Sequence, residues 1–156
     1  MHVRLIAVGG KPPRWVRDAC EDYIRRLGSQ LPVSVIGIAP GTRSRGAATA
    51  RAVALEGERV LAAVRAGDYL VTLDERGTEL STREFAGWLE QRMQEGEDLA
   101  FAIGGPDGLA AAVLARSRLR LALSRLTLPH ALARVVLAEQ LYRAVSLLAR
   151  HPYHRE

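Results

Sequence analysis

Tyr69-Leu-Val-Thr-Leu73-Asp-Glu-Arg-Gly77-Thr-Glu-Leu-Ser81-Thr-Arg-Glu84-Phe-Ala-Gly-Trp-Leu89 is the stretch from which the fold is read. Its first five residues form a mainly apolar run of strand length. Asp74-Glu-Arg-Gly77 is turn chemistry. Ser81 and Glu84 stand at capping-box spacing, ahead of Phe85, Trp88 and Leu89 at helical spacing. Strand, turn and helix in succession are the repeating half of an α/β domain.

The alternation extends both ways from there. Upstream, Val3–Val8 reads as a buried strand ended by the turn Gly9-Gly-Lys-Pro-Pro13, after which Trp15, Val16, Cys20, Tyr23, Ile24 and Leu27 recur at helical spacing. Val33–Ile38 is a second apolar run. It leads into the polar, basic loop Pro40-Gly-Thr-Arg-Ser-Arg-Gly46, of the kind that stays mobile until it meets a ligand. A helix is expected over about 47–66, with Val53, Val60, Leu61 and Val64 as its apolar stripe. Downstream, Leu99–Ile103 is a strand running into Gly104-Gly-Pro-Asp-Gly108 and a short Ala/Leu helix. Leu119–Leu126 follows, and a last helix is expected from about His130 to Arg150. This pattern predicts a mostly parallel sheet flanked by helices on both faces. Ligands in such sheets sit outside the carboxyl ends of the strands, so the segments after Leu73, Ile103 and Ser124 should converge on one crevice.

At 156 residues and 48% hydrophobic content, one domain spanning 1–156 is expected. No apolar run is long enough for a membrane span, and the N-terminus lacks the pattern of a signal peptide, so a cytoplasmic protein is expected. The lone Cys20 has no disulfide partner and should pack as a small apolar side chain. The net charge is +5 and unevenly spread: 8 basic and 3 acidic residues in 1–50, 6 and 12 in 51–114, 8 and 2 in 115–156. Every basic residue except Lys11 is Arg, whose fork suits phosphates and stacks on bases. Basic ends around an acidic middle fit an RNA partner, although Arg richness also arises from base composition of the genome.

Several segments carry chemistry-bearing types. The Gly104–Gly108 turn lets backbone approach a ligand, or is simply a tight strand-to-helix turn; it lacks dinucleotide-fingerprint and P-loop spacing. Ser124-Arg-Leu-Thr-Leu-Pro129 either exposes main-chain donors and acceptors to a flat heterocycle, with Leu73, Leu123, Leu126 and Leu128 as an apolar pocket, or is a last buried strand. Glu139 and Arg143 stand one turn apart, as a catalytic pair or an ordinary helical ion pair. Tyr153-His-Arg-Glu156 joins a stacking face, an imidazole and a guanidinium. The four histidines are not at ligand spacing, so no metal is expected, and no Gly-x-Ser-x-Gly elbow supports a hydrolase.

Gly104-Gly-Pro-Asp-Gly108, Leu126-Thr-Leu-Pro-His130, Ala138-Glu-Gln-Leu-Tyr-Arg143 and His151-Pro-Tyr-His-Arg-Glu156, in that order, closely resemble the bacterial ribosomal large-subunit methyltransferase H family. Val8-Gly-Gly-Lys11 with Trp15 and Tyr23 extends the likeness over the whole chain. The resemblance implies the SPOUT class of S-adenosylmethionine-dependent methyltransferases: an α/β sheet, a C-terminal trefoil knot over about 69–156, and a homodimer. It implies methylation of N3 of a pseudouridine in the helix 69 loop of 23S rRNA, with the assembled ribosome as substrate and partner. Leu73, Gly104 and the run Leu123, Ser124, Arg125, Leu126, Thr127, Leu128 are expected to hold S-adenosyl-L-methionine. Pro106, Asp107 and Arg125 vary within the family, so their side chains receive no specific contact. Arg143 and Arg155 are expected to stabilise developing negative charge, His154 or Glu139 to accept the proton, and Tyr153 to stack on the base. One subunit's tail and the other's basic N-terminal face are expected to form one RNA site. A non-catalytic ribosome binder on the same fold is the rival reading.

Overall fold

A computed structural model describes residues 1–43 and 48–155, the side chains of Ala48, His154 and Arg155 excepted. Five strands alternate with helices: β1 (Val3–Val8), α1 (Arg14–Leu27), β2 (Val33–Ile38), α2 (Ala48–Ala63), β3 (Tyr69–Glu79), α3 (Thr82–Gln94), β4 (Leu99–Ile103), α4 (Ala111–Arg116), β5 (Leu119–Ala122) and α5 (His130–Leu148), before a closing 3-10 turn at Pro152–Arg155. The strands lie in the order β2-β1-β4-β3-β5, and every pairing is parallel. No helix among the described residues is long and apolar enough to cross a membrane.

The period-2 pleat explains why the central strands are apolar on both faces, with buried Arg4 and Thr72 as exceptions. Val3, Leu5 and Ala7 of β1 join Leu99, Phe101 and Ile103 of β4 against Leu27 of α1, Phe85 and Leu89 of α3, and Leu137 and Leu141 of α5. The alternate residues Ile6, Val8, Ala100 and Ala102 meet Val60 and Val64 of α2 and Val113 of α4 on the opposite face. Both faces are covered, so a strand with one polar face would leave unpaired groups inside. Cys20 is buried between α1 and α5, next to Val16 and Ala138.

The capping box forms as its spacing predicts: the Glu84 N–H donates to Ser81 Oγ at 3.2 Å, and the Ser81 N–H donates to Glu84 Oε2 at 2.7 Å. Two expectations need correction. Asp74-Glu-Arg-Gly77 does not end the strand. It is an excursion within β3, where Leu121 faces Leu73 on one side of it and Thr78 on the other. The turn chemistry is accommodated as an irregularity because β5 continues to offer a partner beyond it. The backbone at Gly77 runs so close to Arg120 that an added Cβ would stand 2.6 Å from the Arg120 carbonyl carbon. Gly77→Ala should therefore lower stability by about 1–3 kcal/mol, the cost of overpacking against backbone that cannot rotate away. Urea unfolding measures this, and an unchanged midpoint would show that the excursion is loose. The second correction concerns the basic loop. Its Gly41–Arg43 portion is pinned, with Arg43 donating to Glu56 at 2.6 Å and Asp107 at 2.8 Å. Residues 44–46 of the expected loop lie outside the described residues.

At the amino ends of the central strands, the Arg4 guanidinium is buried against Asp68, its Nε donating to Oδ2 at 3.0 Å, and it reaches Asp98 at 3.6 Å. Asp98 Oδ1 accepts the His2 N–H at 2.8 Å. That hydrogen bond, followed by the charge of Arg4, holds the Asp98 carboxyl below its ordinary value of 3.8. A depressed folded-state value stabilises the fold above pH 3.8, and this contribution is lost as pH falls through the folded-state value. Asp98→Asn should accordingly flatten the acid limb of the melting-temperature profile below pH 5. An acid limb as steep as wild type would assign that loss to other carboxylates.

Candidate active site

Since β4, β3 and β5 are parallel neighbours, Gly104 and Leu123 emerge at the carboxyl ends of β4 and β5, and Leu73, paired with Leu121, stands where the β3 excursion begins. Gly104 opens the turn, and Gly105 pairs with Gly108 across it. A Cβ on Gly104 would stand 2.7 Å from the Gly108 carbonyl carbon, so the turn itself requires glycine there. Asp107, at the turn's tip, is tied to Arg43.

After β5 the chain is irregular from Leu123 to Pro129. That decides between the two readings of this segment: Ser124–Leu128 is not a strand. Arg125, Leu126 and Thr127 are exposed, Leu126 to 77%, and Arg125 reaches Glu79 only at 3.8 Å. Among the described residues, the one main-chain hydrogen bond within Ser124–Leu128 is from the Leu126 N–H to Ser124 Oγ at 2.9 Å. The remaining donors and acceptors there are open to a ligand, beside half-buried Leu73 and Leu123. An exposed, unpaired main chain flanked by leucines is what a flat heterocycle with a polar edge fits.

A cleft of about 290 Å³ adjoins this segment, between the start of α3, the end of β5 and the middle of α5. Leu123 forms one wall and Gln140 the other. Gln140 accepts from Thr82 Oγ1 at 2.8 Å and donates through Nε2 to Glu139 Oε2 at 2.6 Å. The other carboxylate oxygen, Glu139 Oε1, accepts from Arg143 Nε at 2.8 Å and from the Tyr153 hydroxyl at 3.2 Å. Glu139 is thus the hub of three donors, and its contact with Arg143 is a true ion pair at one-turn spacing.

Tyr153 reaches this hub because of how α5 ends. Arg150 adopts φ 57, its N–H bonds to the Leu147 carbonyl at 3.1 Å, and the His151 N–H bonds to the Ser146 carbonyl at 2.7 Å. This is a Schellman turn with arginine where glycine is usual, and Pro152 follows where the helix cannot continue. The tail is reversed onto α5. There the Tyr153 ring lies 4.6 Å from the Tyr142 ring at 59°, with the Arg143 guanidinium 4.8 Å over its face. Burial first, then hydrogen bonding to Tyr23 and the Glu139 charge, raises the Tyr153 phenol well above its ordinary value. It is therefore a hydrogen-bond donor at neutral pH. Tyr23 of α1 packs 6.2 Å from Tyr142, with Arg26 against both rings.

The structure thus unites Glu139, Arg143 and Tyr153, while the side chains of His154 and Arg155 lie outside the described residues. Tyr23, Tyr142 and Gln140 were given no role by sequence reading. Tyr23 carried helical spacing that pointed to packing, and Tyr142 and Gln140 stood only within the Ala138–Arg143 motif of the family resemblance, without a role of their own.

The family described as "Predicted SPOUT methyltransferase" matches residues 1–154. Full-length relatives include the protein named ribosomal RNA large subunit methyltransferase H of Thiobacillus denitrificans, 54% identical over 100% of both chains. The one so named from Methylococcus capsulatus is 47% identical over 99% of this chain and 100% of its own. Among solved structures, a methylase family protein of Neisseria gonorrhoeae superimposes with a TM-score of 0.56 at 13% identity, covering 90% of this chain and 81% of its own. One from Haemophilus influenzae gives 0.55 at 16% identity, covering 96% and 69%. These two share the fold.

Proposed function

This chain belongs to the SPOUT methyltransferase family, among the ribosomal RNA large subunit methyltransferases H, and we propose that it methylates N3 of a pseudouridine in the helix 69 loop of 23S rRNA on the assembled ribosome. The methyl donor is S-adenosyl-L-methionine, and Leu73, Gly104 and Leu123–Leu128 hold it. The single observation that carries this assignment is the main chain of Ser124–Leu128, unpaired among the described residues apart from the Leu126 N–H, where the chain leaves β5. Main-chain recognition reads a polar base edge whatever side chain stands at Arg125.

When bound, the cofactor supplies an electrophilic methyl group on a sulfonium. The protein's task is to hold the nucleotide in line and to manage the proton that leaves N3 as the N–C bond forms and the C–S bond breaks. Arg143, oriented by Glu139, places positive charge where the deprotonated ring develops negative charge. Glu139 or His154 takes the proton, and Arg155 adds a second guanidinium from the tail. Tyr153 docks the tail by its hydroxyl and offers its ring to the base.

The active form is a homodimer in the cytoplasm, each RNA site joining the tail of one subunit to the basic N-terminal face of the other. One domain, 1–156, is knotted over about 69–156. The test uses labelled S-adenosylmethionine with ribosomes or free 50S subunits from a strain lacking the activity. Label on a helix 69 pseudouridine, stronger with assembled ribosomes, is expected. Ribosome binding without transfer would overturn the reading in favour of a non-catalytic binder.

A further inference from the structure

A second cavity, of about 420 Å³, opens at the carboxyl ends of β1 and β2, between the turn after β1, α1, the edge of β2 and Arg134 of α5. Arg134 lines it. This guanidinium is 94% buried (6% exposed), makes no hydrogen bond or ion pair among the described residues, and its Nε is fully enclosed without a partner. An arginine cannot discard its proton, and a buried, uncompensated charge is strongly unfavourable. No carboxylate of the described residues lies within ion-pairing distance of it, so the guanidinium is open to an anion that enters the cavity.

The rest of the lining says which anion. Lys11 and Arg17 stand at the same cavity, with Glu21 as the one acidic group, so positive charge is in excess. Arg17 leans on Asp18 only at 3.7 Å, with both side chains exposed. Pro12, Cys20, Ile24 and Val35 make the remaining wall apolar. Several cations around an apolar wall of this size suit a nucleotide: phosphate on the guanidinium, sugar and base on the wall. A lone carboxylate would need only one arginine.

We propose that Arg134, with Lys11 and Arg17, forms a phosphate subsite that takes a backbone phosphate of the RNA substrate. The assignment rests on the rRNA methyltransferase reading for its source of phosphate, though the anion site stands on the buried charge alone. Glu139 lies five residues on in the same helix, about 7.5 Å along its axis and about 140° around it, roughly two nucleotide steps of about 3.4 Å away. The subsite therefore fixes the strand near the target without touching it, and Arg134 acts as a positioning residue.

The first measurement is calorimetric titration of the full chain with inorganic phosphate and with uridine monophosphate, for wild type, Arg134→Gln and Lys11→Gln. Wild type is expected to bind both probes, the nucleotide more tightly. Arg134→Gln should weaken them at least tenfold, and Lys11→Gln by a few-fold. Because the substitution removes an unpaired buried charge, Arg134→Gln should melt at or above the wild-type temperature, whereas a structural arginine would give a lower one. In transfer assays, KM for ribosomes should rise about tenfold with kcat and S-adenosylmethionine affinity unchanged, and the slope of log affinity against log salt should shrink by about 0.7–0.9, one phosphate contact. Phosphate binding without any methyl transfer would keep the subsite and sink the rRNA reading. Equal phosphate binding by wild type and Arg134→Gln would overturn the proposal. So would loss of the dimer in Arg134→Gln, which would make the anion a carboxylate of a second copy.

Discussion

Glu139→Ala is expected to lower methyl-transfer turnover by about 100-fold or more while cofactor affinity stays within a factor of about two, because removing one preorganised charge-orienting contact costs on that scale. The carboxylate holds three donors at once: Arg143 at 2.8 Å, Gln140 at 2.6 Å and the Tyr153 hydroxyl at 3.2 Å. Without it Arg143 loses its ion-pair anchor, and the tail loses the acceptor that docks it. The cofactor segment does not depend on these contacts, so binding and chemistry separate. Glu139→Gln refines the result, since the amide still accepts from Arg143 and Tyr153 but takes no proton. Loss in both variants identifies the charge or its basicity as the need, and loss in alanine alone identifies positioning. Full turnover of both Glu139→Ala and His154→Ala under saturating substrate would remove both from the list of proton acceptors.

Asp68→Ala should reduce folding stability by about 3–5 kcal/mol, the range for breaking a buried ion pair by deleting one partner. The Arg4 and Asp68 side chains are only 3% and 2% exposed. Asp68 also accepts the Arg65 N–H at 2.9 Å, closing the turn that starts β3. Its loss leaves the Arg4 guanidinium in the interior with only Asp98, at 3.6 Å. Replacing both members, Arg4→Leu with Asp68→Leu, should recover much of the deficit, because no orphaned charge remains. Urea unfolding of the single and double variants measures this. A loss below about 1 kcal/mol in Asp68→Ala would mean that water reaches Arg4 and screens it.

Strands and helices were legible because their signals are local. Leu99–Ile103 is apolar at every position and Val3–Val8 at every position but Arg4, which is buried against Asp68, as strands covered on both faces require. Ser81 and Glu84 announce the start of α3 through a hydrogen-bond pattern confined to four residues. Where the sequence misled, a distant partner intervened: Asp74–Gly77 has the chemistry of a terminating turn, and only β5 running on to Ala122 keeps β3 going to Glu79.

The candidate site divides the same way. The α/β alternation and the chemistry-bearing segments were readable from local pattern, since periodicity, caps and turn residues act over a few neighbours. Glu139 and Arg143 are one helical turn apart and so were readable as a pair. Tertiary structure alone decided that Tyr153 folds back on Glu139, that Gln140 links this carboxylate to the cleft walled by Leu123, and that Arg134 Nε is enclosed without a hydrogen-bond partner among the described residues. Those facts depend on a left-handed turn at an arginine, on the packing of α1 and α3 against α5, and on which strands became neighbours. Each is a balance of burial and hydrogen bonding between groups far apart in the chain, where no local pattern of residues carries the answer.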